Sequence, residues 1–76
     1  MTPGQCRAAR SWLRWSTRTT AEKSGVSRST LVRFESGQDV LYSKVDQLRK
    51  TFENAGVRFV GRTVVEYDQS RADMDR

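Results

Sequence analysis

The sequence predicts a mainly α-helical fold, with four helices followed by a short C-terminal β-strand or β-hairpin. Two observations predict it. Apolar residues recur at helical spacing as far as residue 55, and Ser, Thr or Gly residues stand where helices would begin and end. After Gly56 the spacing changes, and residues 57–67 become rich in valine and aromatic residues. The 76 residues suffice for one small domain.

The first helix is predicted over residues 2–14. Thr2 can be its N-cap, Pro3 occupies the first helical position, and Gln5 stands where a capping box requires it. An apolar face follows, formed by Cys6, Ala9 and Leu13, with Trp12 at its edge. Trp12 is interpreted as a core residue rather than a platform on which bases stack.

Two short helices are predicted next, over residues 17–24 and 28–36. Leu31 and Phe34 fall on one face of the second of these and should anchor it to the core. Each helix follows a serine that can cap it and precedes a glycine that can end it; these are Ser16 with Gly25, and Ser27 with Gly37. The short connection predicts a helix-turn-helix arrangement.

A fourth helix is predicted over residues 44–55, with Ser43 as its cap. Residues 57–60 and 63–67 are predicted as short strands, and residues 68–76 as a flexible tail. The helix has a regular apolar stripe, formed by Val45, Leu48, Phe52 and Ala55.

The positive charge lies in the N-terminal half of the chain. The net charge is +5, and residues 1–37 contain seven basic and two acidic residues, whereas residues 38–76 contain seven of each. A one-sided field of this kind favours a polyanionic partner, and nucleic acid is the leading candidate. The alternative is an ordinary solvated basic surface.

The composition argues against several classes of function. The chain has no histidine and one cysteine, so it offers neither a zinc cluster nor an internal disulfide, and no catalytic set is found. We therefore expect no enzyme, no cofactor and no metal. Cys6 is interpreted as a core residue rather than a redox sensor. No apolar run predicts a membrane span or a signal peptide, so a cytoplasmic protein is expected.

Residues 16–37 carry a more specific pattern, S-T-x-x-x-A-x-x-x-G-V-S-x-x-T-L-x-R-F-E-x-G. It resembles the helix-turn-helix of the Cro/C1-type (XRE-like) phage-repressor family. The resemblance covers roughly residues 3–56 and is most specific over 21–37. It implies a lambda-repressor-like DNA-binding domain over residues 1–56, with residues 28–36 as the recognition helix in the major groove.

Two positions depart from the family pattern. Thr17 stands where the family usually has a glutamine that contacts both DNA and the next helix. Thr20 stands where it usually has a leucine, which should weaken the packing of the second helix, although Trp12 and Trp15 nearby could fill the space.

The DNA-contacting residues follow from the buried face of the third helix. Because Leu31 and Phe34 face inward, the opposite face is free to meet base edges. For each arginine on that face, the alternative is a contact with phosphate, which positions the protein but does not specify a sequence. Base contacts are expected from Thr17, Arg28, Ser29, Val32 and Arg33. Phosphate contacts are expected from Ser16, Arg18, Ser27, Ser36 and Lys44.

Glu35 is an acid on the helix expected to face DNA. In the family that the sequence resembles, an acid at this position commonly pairs with an arginine of the first helix, which here is Arg10. The resemblance therefore implies a structural ion pair between Arg10 and Glu35. The alternative is that Glu35 is a solvated surface acid.

Together these features predict a sequence-specific DNA-binding transcriptional regulator of the repressor type. One small domain makes few contacts, so a homodimer on an inverted-repeat operator of double-stranded DNA is expected, without a small-molecule ligand. Residues 57–67 are the predicted dimerisation element, by strand pairing or through Phe59, Val64 and Tyr67. The alternative is a protein-interaction module on the same fold, such as an antitoxin or antiactivator.

Overall fold

The computed structural model describes residues 1–62 and 64–67, apart from the side chain of Val64. Four α-helices are followed by a two-stranded antiparallel sheet, which confirms the predicted fold class. The helices are α1 (Pro3–Leu13), α2 (Thr17–Ser24), α3 (Arg28–Glu35) and α4 (Tyr42–Asn54), and the strands are β1 (Val57–Val60) and β2 (Val64–Tyr67). Thr63 and the predicted tail, residues 68–76, lie outside the described residues.

Helix α1 begins at the predicted capping box. The hydroxyl of Thr2 accepts a hydrogen bond from the backbone N–H of Gln5 at 3.1 Å, and the Gln5 side chain accepts one from the N–H of Thr2 at 2.9 Å. The same two side chains also hold the β-hairpin turn. Thr2 donates to the carbonyl of Arg62 at 3.2 Å, and Gln5 donates to that of Gly61 at 3.1 Å. The start of α1 is therefore fastened to the connection between the strands.

Helices α2 and α3 are joined by the three residues 25–27, as the sequence predicts. Ser16 and Ser27 each accept a backbone hydrogen bond at the start of their helix, at 3.0 and 3.2 Å. Gly25 ends α2 in the left-handed conformation, with φ of 74°. A residue with a Cβ atom adopts this conformation only at an energetic cost, so glycine fits the turn.

Thr20, which we expected to weaken the packing of α2, is fully buried. Its hydroxyl donates to the carbonyl of Ser16 at 2.8 Å, so the buried polar atom has a partner. Trp15 lies stacked against Phe52, at 5.9 Å between ring centroids. The prediction that Trp12 belongs to the core was wrong, because its side chain is 57 % exposed.

Helix α4 begins earlier than predicted. Its N-cap is Leu41, and no side chain among the described residues caps the helix, so the prediction of Ser43 as the cap was wrong. Val40 packs against the core and fixes the chain two positions before Tyr42. The position of this apolar contact, rather than the local preference of serine for a cap, explains where the helix begins.

The two strands form a hairpin that covers the helices with one face. Cα partners in the register are Val57 with Tyr67, Arg58 with Glu66, Phe59 with Val65, and Val60 with Val64. Residues directly opposite one another share a face of a sheet. On the inner face, Phe59 packs edge-on against Phe52 at 6.2 Å and Tyr67 stacks on Trp12 at 5.9 Å. The buried core that results consists of Cys6, Ala9, Val26, Leu31, Phe34, Leu48, Phe52 and Val57.

Candidate nucleic-acid interface

Helix α3 has one buried and one exposed face. Leu31 and Phe34 lie in the core, as predicted. The four side chains of this helix that were expected to contact bases are all exposed, namely Arg28, Ser29, Val32 and Arg33. Burial of Val32 against a partner would be favourable, because it would remove apolar surface from water.

Arg28 is oriented by the preceding helix. Its Nε donates a hydrogen bond to the hydroxyl of Thr17 at 3.0 Å. Within the described residues its two Nη nitrogens form no hydrogen bond, so they remain available to an acceptor such as the O6/N7 edge of guanine. Thr17 therefore contacts the next helix from the position where the resembling family has glutamine.

Arg33 lies at the other end of the exposed face, beside the loop that leads to α4. Its Nη2 is 3.5 Å from the carbonyl of Asp39. A cleft of about 460 Å³ opens here, lined by Thr30, Arg33, Asp39, Val40, Leu41 and Lys44. Arg33, predicted to contact bases, thus shares its surroundings with Lys44, predicted to contact phosphate.

The remaining residues expected to contact phosphate are exposed, and each already has a partner within the chain. The hydroxyls of Ser16 and Ser27 cap their helices, and that of Ser36 donates to the carbonyl of Val32 at 2.7 Å. Arg18 pairs with Glu22 at 3.3 Å, but these side chains are 81 % and 66 % exposed. Such an exposed pair is weak, so a stronger anion can replace the carboxylate.

The structure contains the ion pair between Arg10 and Glu35. Nε and Nη2 of Arg10 donate to the two carboxylate oxygens at 2.7 and 2.8 Å, which is a bidentate arrangement. The side chains are 20 % and 9 % exposed. Arg10 also donates to the carbonyl of Trp15 at 3.2 Å. Glu35 thus faces α1 rather than the exposed face of α3.

Two further residues of α1 join this ion pair. The thiol of Cys6 donates to Oε2 of Glu35 at 3.2 Å, and the guanidinium of Arg7 donates to the main-chain carbonyl of Glu35. Burial, and secondly the hydrogen bond to Glu35, raise the pKa of the Cys6 thiol well above its usual range. The hydrogen bond with Glu35 likewise raises the pKa of Arg10. Cys6 is therefore a buried, protonated core residue, as the sequence predicts.

Sequence reasoning missed Arg7 and the lining of the cleft. Arg7 precedes Arg10 by three positions on α1, so both side chains lie on the same face. That spacing could have indicated that both reach Glu35. Leu41 lines the cleft and is 71 % exposed, and the adjacent Tyr42, outside the lining, is 80 % exposed. Their hydrophobic character predicts burial, so no local signal indicates that they lie at the surface.

The residues predicted to form a dimer interface are only partly described. Phe59 and Tyr67 pack against helices of their own chain, and the side chain of Val64 lies outside the described residues. A homodimer stays a prediction. Within the described part of the chain, no cluster of His, Cys, Asp or Glu could hold a metal ion, and no helix is long and apolar enough to cross a membrane.

Comparison with known proteins returned no match from family models, curated proteins or solved structures. The features that bear on function are therefore those of the chain itself, namely the arrangement of α2 and α3 and the residues that hold them.

Proposed function

We propose that this protein is a sequence-specific DNA-binding transcriptional regulator that inserts α3 into the major groove. The supporting observation is the division of α3 into a buried face, formed by Leu31 and Phe34, and an exposed face with Arg28, Ser29 and Val32. A major groove about 12 Å wide admits one α-helix. The resemblance of residues 16–37 to Cro/C1-type repressors points to the same function.

The distribution of charge supports this docking. Seven of the nine charged residues in residues 1–37 are basic. One of the two acids, Glu35, is held by Arg10 on α1, so its charge does not oppose an anion at α3. The other, Glu22, lies beside Arg18, which partly neutralises it. The surface around α3 should therefore attract phosphate groups.

Each exposed side chain of α3 that was expected to contact DNA has chemistry that suits a base edge or a phosphate. Arg28 is suited to guanine, because its Nη nitrogens extend beyond the Thr17 hydrogen bond. Ser29 can bond to a base edge, and Val32 can contact a thymine methyl group. Arg33 shares the cleft with Lys44, where it can bind either guanine or the adjacent phosphate.

Specific binding in this proposal requires two copies. One copy extends 33 Å along its longest axis, which is close to the roughly 34–36 Å between the centres of two adjacent half-sites. Two copies therefore have room to bind side by side. Two copies related by a two-fold axis would place their α3 helices roughly 34–36 Å apart, on the two halves of an inverted repeat.

A selection of bound sequences from random double-stranded DNA tests the proposal. We expect an inverted repeat whose half-sites are centred about one turn apart. Arg28→Ala combined with Arg33→Ala should abolish the selection, since both changes lie on the exposed face of α3. The matched control is Lys50→Ala combined with Arg62→Ala, which removes the same charge from exposed positions on α4 and in the hairpin turn. Circular dichroism checks that both variants are folded. Specific binding that survives the α3 changes would contradict the docking.

Exposed apolar residues near the cleft favour a second candidate function, a protein-interaction module. Leu41 and Tyr42 are adjacent and largely exposed, as is common at protein-binding surfaces. This function would replace the first under two conditions. The DNA selection would have to yield no motif, and Leu41→Ser with Tyr42→Ser would have to abolish binding to a co-purifying protein.

A further inference from the structure

We infer that two copies of this chain associate through the outer face of the hairpin. The outer face consists of Arg58, Val60 and Glu66, together with position 64, which is opposite Val60 in the register. The inference rests on the proposed function in one respect, because an inverted repeat calls for a two-fold dimer. It differs from the interface expected from the sequence, since Phe59 and Tyr67 already pack against their own helices.

The outer face has charged and apolar groups without partners. Arg58 and Glu66 are directly opposite and exposed, and neither takes part in an ion pair among residues 1–62 and 64–67. Val60 is a large exposed hydrophobic residue on the same face. One end of the outer face is thus charged with both signs, and the end near the turn is apolar.

This pattern is complementary to itself under one particular symmetry. Consider two hairpins facing each other about 10 Å apart, as stacked sheets do. A two-fold axis parallel to the strands places β1 of one copy over β2 of the other. Arg58 then faces Glu66 of the second copy, Glu66 faces its Arg58, and Val60 faces its position 64. A two-fold axis across the strands would instead set Arg58 against Val60, which loses both ion pairs. Charge complementarity therefore favours a second copy of this chain as the partner, with the two-fold axis parallel to the strands.

The association should be weak in the absence of DNA. Four residues from each copy are far fewer than the roughly 20–30 per side of a standard stable interface. Binding of both copies to adjacent half-sites raises their effective concentration and so strengthens the pairing. The outer face thus fixes the relative orientation of two copies rather than holding them together permanently.

Charge reversal tests the inference in the full chain without DNA. Arg58→Glu alone sets two acids against each other between copies, and Glu66→Arg alone sets two bases against each other. Sedimentation equilibrium over a concentration series should show each variant associating roughly tenfold more weakly than the unmodified chain. In an equimolar mixture of the two variants, every facing pair is again of opposite sign. The mixture should recover the original association.

The mixture separates contacts between copies from those within a hairpin. Each single variant also places like charges opposite each other in its own hairpin, and mixing leaves that unchanged. Variants that stay weak when mixed would therefore overturn the inference, and so would single variants that associate as the unmodified chain does. Arg62→Glu is the matched control, because it makes the same charge change in the turn and should leave association unaltered.

The outcome is independent of whether DNA binding is confirmed. Recovery on mixing with no motif from the DNA selection would reject the proposed function and retain the outer face as a self-association surface. A selected inverted repeat with no recovery on mixing would retain the function and reject this surface.

Discussion

Replacement of Glu35 by glutamine tests whether the contact between α1 and α3 holds the candidate DNA-binding helix in place. Glu35→Gln keeps the size and shape of the side chain but removes its charge. The bidentate ion pair with Arg10, at 2.7 and 2.8 Å, then becomes a contact between a cation and a neutral amide. The guanidinium of Arg10, whose side chain is 20 % exposed, is left without its counter-charge.

The expected loss of stability lies between the values for buried and exposed pairs. Removing one partner of a fully buried pair costs about 3–5 kcal/mol, whereas an exposed pair contributes about 0–1 kcal/mol. The glutamine carbonyl can still accept one hydrogen bond from Arg10. We therefore expect the free energy of unfolding to fall by about 2 kcal/mol. For a domain of this size that corresponds to a decrease of roughly 8–16 °C in Tm.

Urea unfolding followed by circular dichroism measures the change. The midpoint should decrease while the dependence on denaturant stays the same, because the variant unfolds over the same surface. Glu22→Gln is the matched control. It makes the same chemical change in the exposed pair with Arg18, at 3.3 Å, and should cost less than about 0.5 kcal/mol.

Equal losses for Glu35→Gln and Glu22→Gln would refute the reasoning, because burial would then make no difference. A double-mutant cycle with Arg10→Met separates the pair from other contacts of Glu35. We expect a coupling energy of about 1–3 kcal/mol between positions 10 and 35. A coupling near zero would assign the loss to the hydrogen bond with Cys6 or to general packing.

Three further changes test other parts of the structure. Thr17→Val removes the acceptor for Nε of Arg28. In a DNA selection, the preference for one base over the others should fall roughly fivefold at one base pair per half-site, which corresponds to the loss of one hydrogen bond. A loss spread over all positions would contradict the role of Thr17 in orienting Arg28. Because the pKa of the Cys6 thiol is raised in the folded chain, the folded state retains a proton that the unfolded chain releases above about pH 8.5. Above that pH, the free energy of unfolding measured in urea should fall by up to about 1.4 kcal/mol per pH unit relative to that of Cys6→Ala. Parallel pH profiles for the unmodified chain and Cys6→Ala would refute this expectation. Gly25→Ala should lower the free energy of unfolding by about 1–2 kcal/mol in the same assay, because a residue with a Cβ atom adopts a φ of 74° only at a cost. The added Cβ would lie 3.8 Å from Gln47, an ordinary contact distance, so the loss would come from the backbone alone. Unchanged stability would contradict this reasoning.

Local signals account for the parts of the fold that could be predicted. Ser16 and Ser27 stand immediately before helices, and Gly25 adopts the left-handed conformation that its position in the sequence suggests. Caps and turns depend on residues within three or four positions, so the sequence contains the whole of the interaction. The exposed face of α3 was predictable for the same reason, since Leu31 and Phe34 fix it by helical spacing alone.

Contacts between distant positions account for the rest. Trp12 was expected in the core because its helical position allows it, but its ring stacks on Tyr67, from a strand 55 positions later. Ser43 has the right chemistry for a cap, yet the packing of Val40 brings the chain into α4 earlier. The bond between Thr17 and Arg28 joins two helices and is set by their relative placement. Helical periodicity says nothing about which faces of separate elements meet.

The fastening of the hairpin turn to the first residues of α1 has a consequence for synthesis on the ribosome. Thr2 bonds to a residue 60 positions later, and Gln5 to one 56 positions later. The four helices can dock as they emerge, but these two bonds must wait until the strands have left the exit tunnel. Closure of such long-range contacts is the slow part of folding. A nascent chain paused after α4 would therefore present α3 while the start of α1 is still uncovered, and the hairpin would pack onto the helices last.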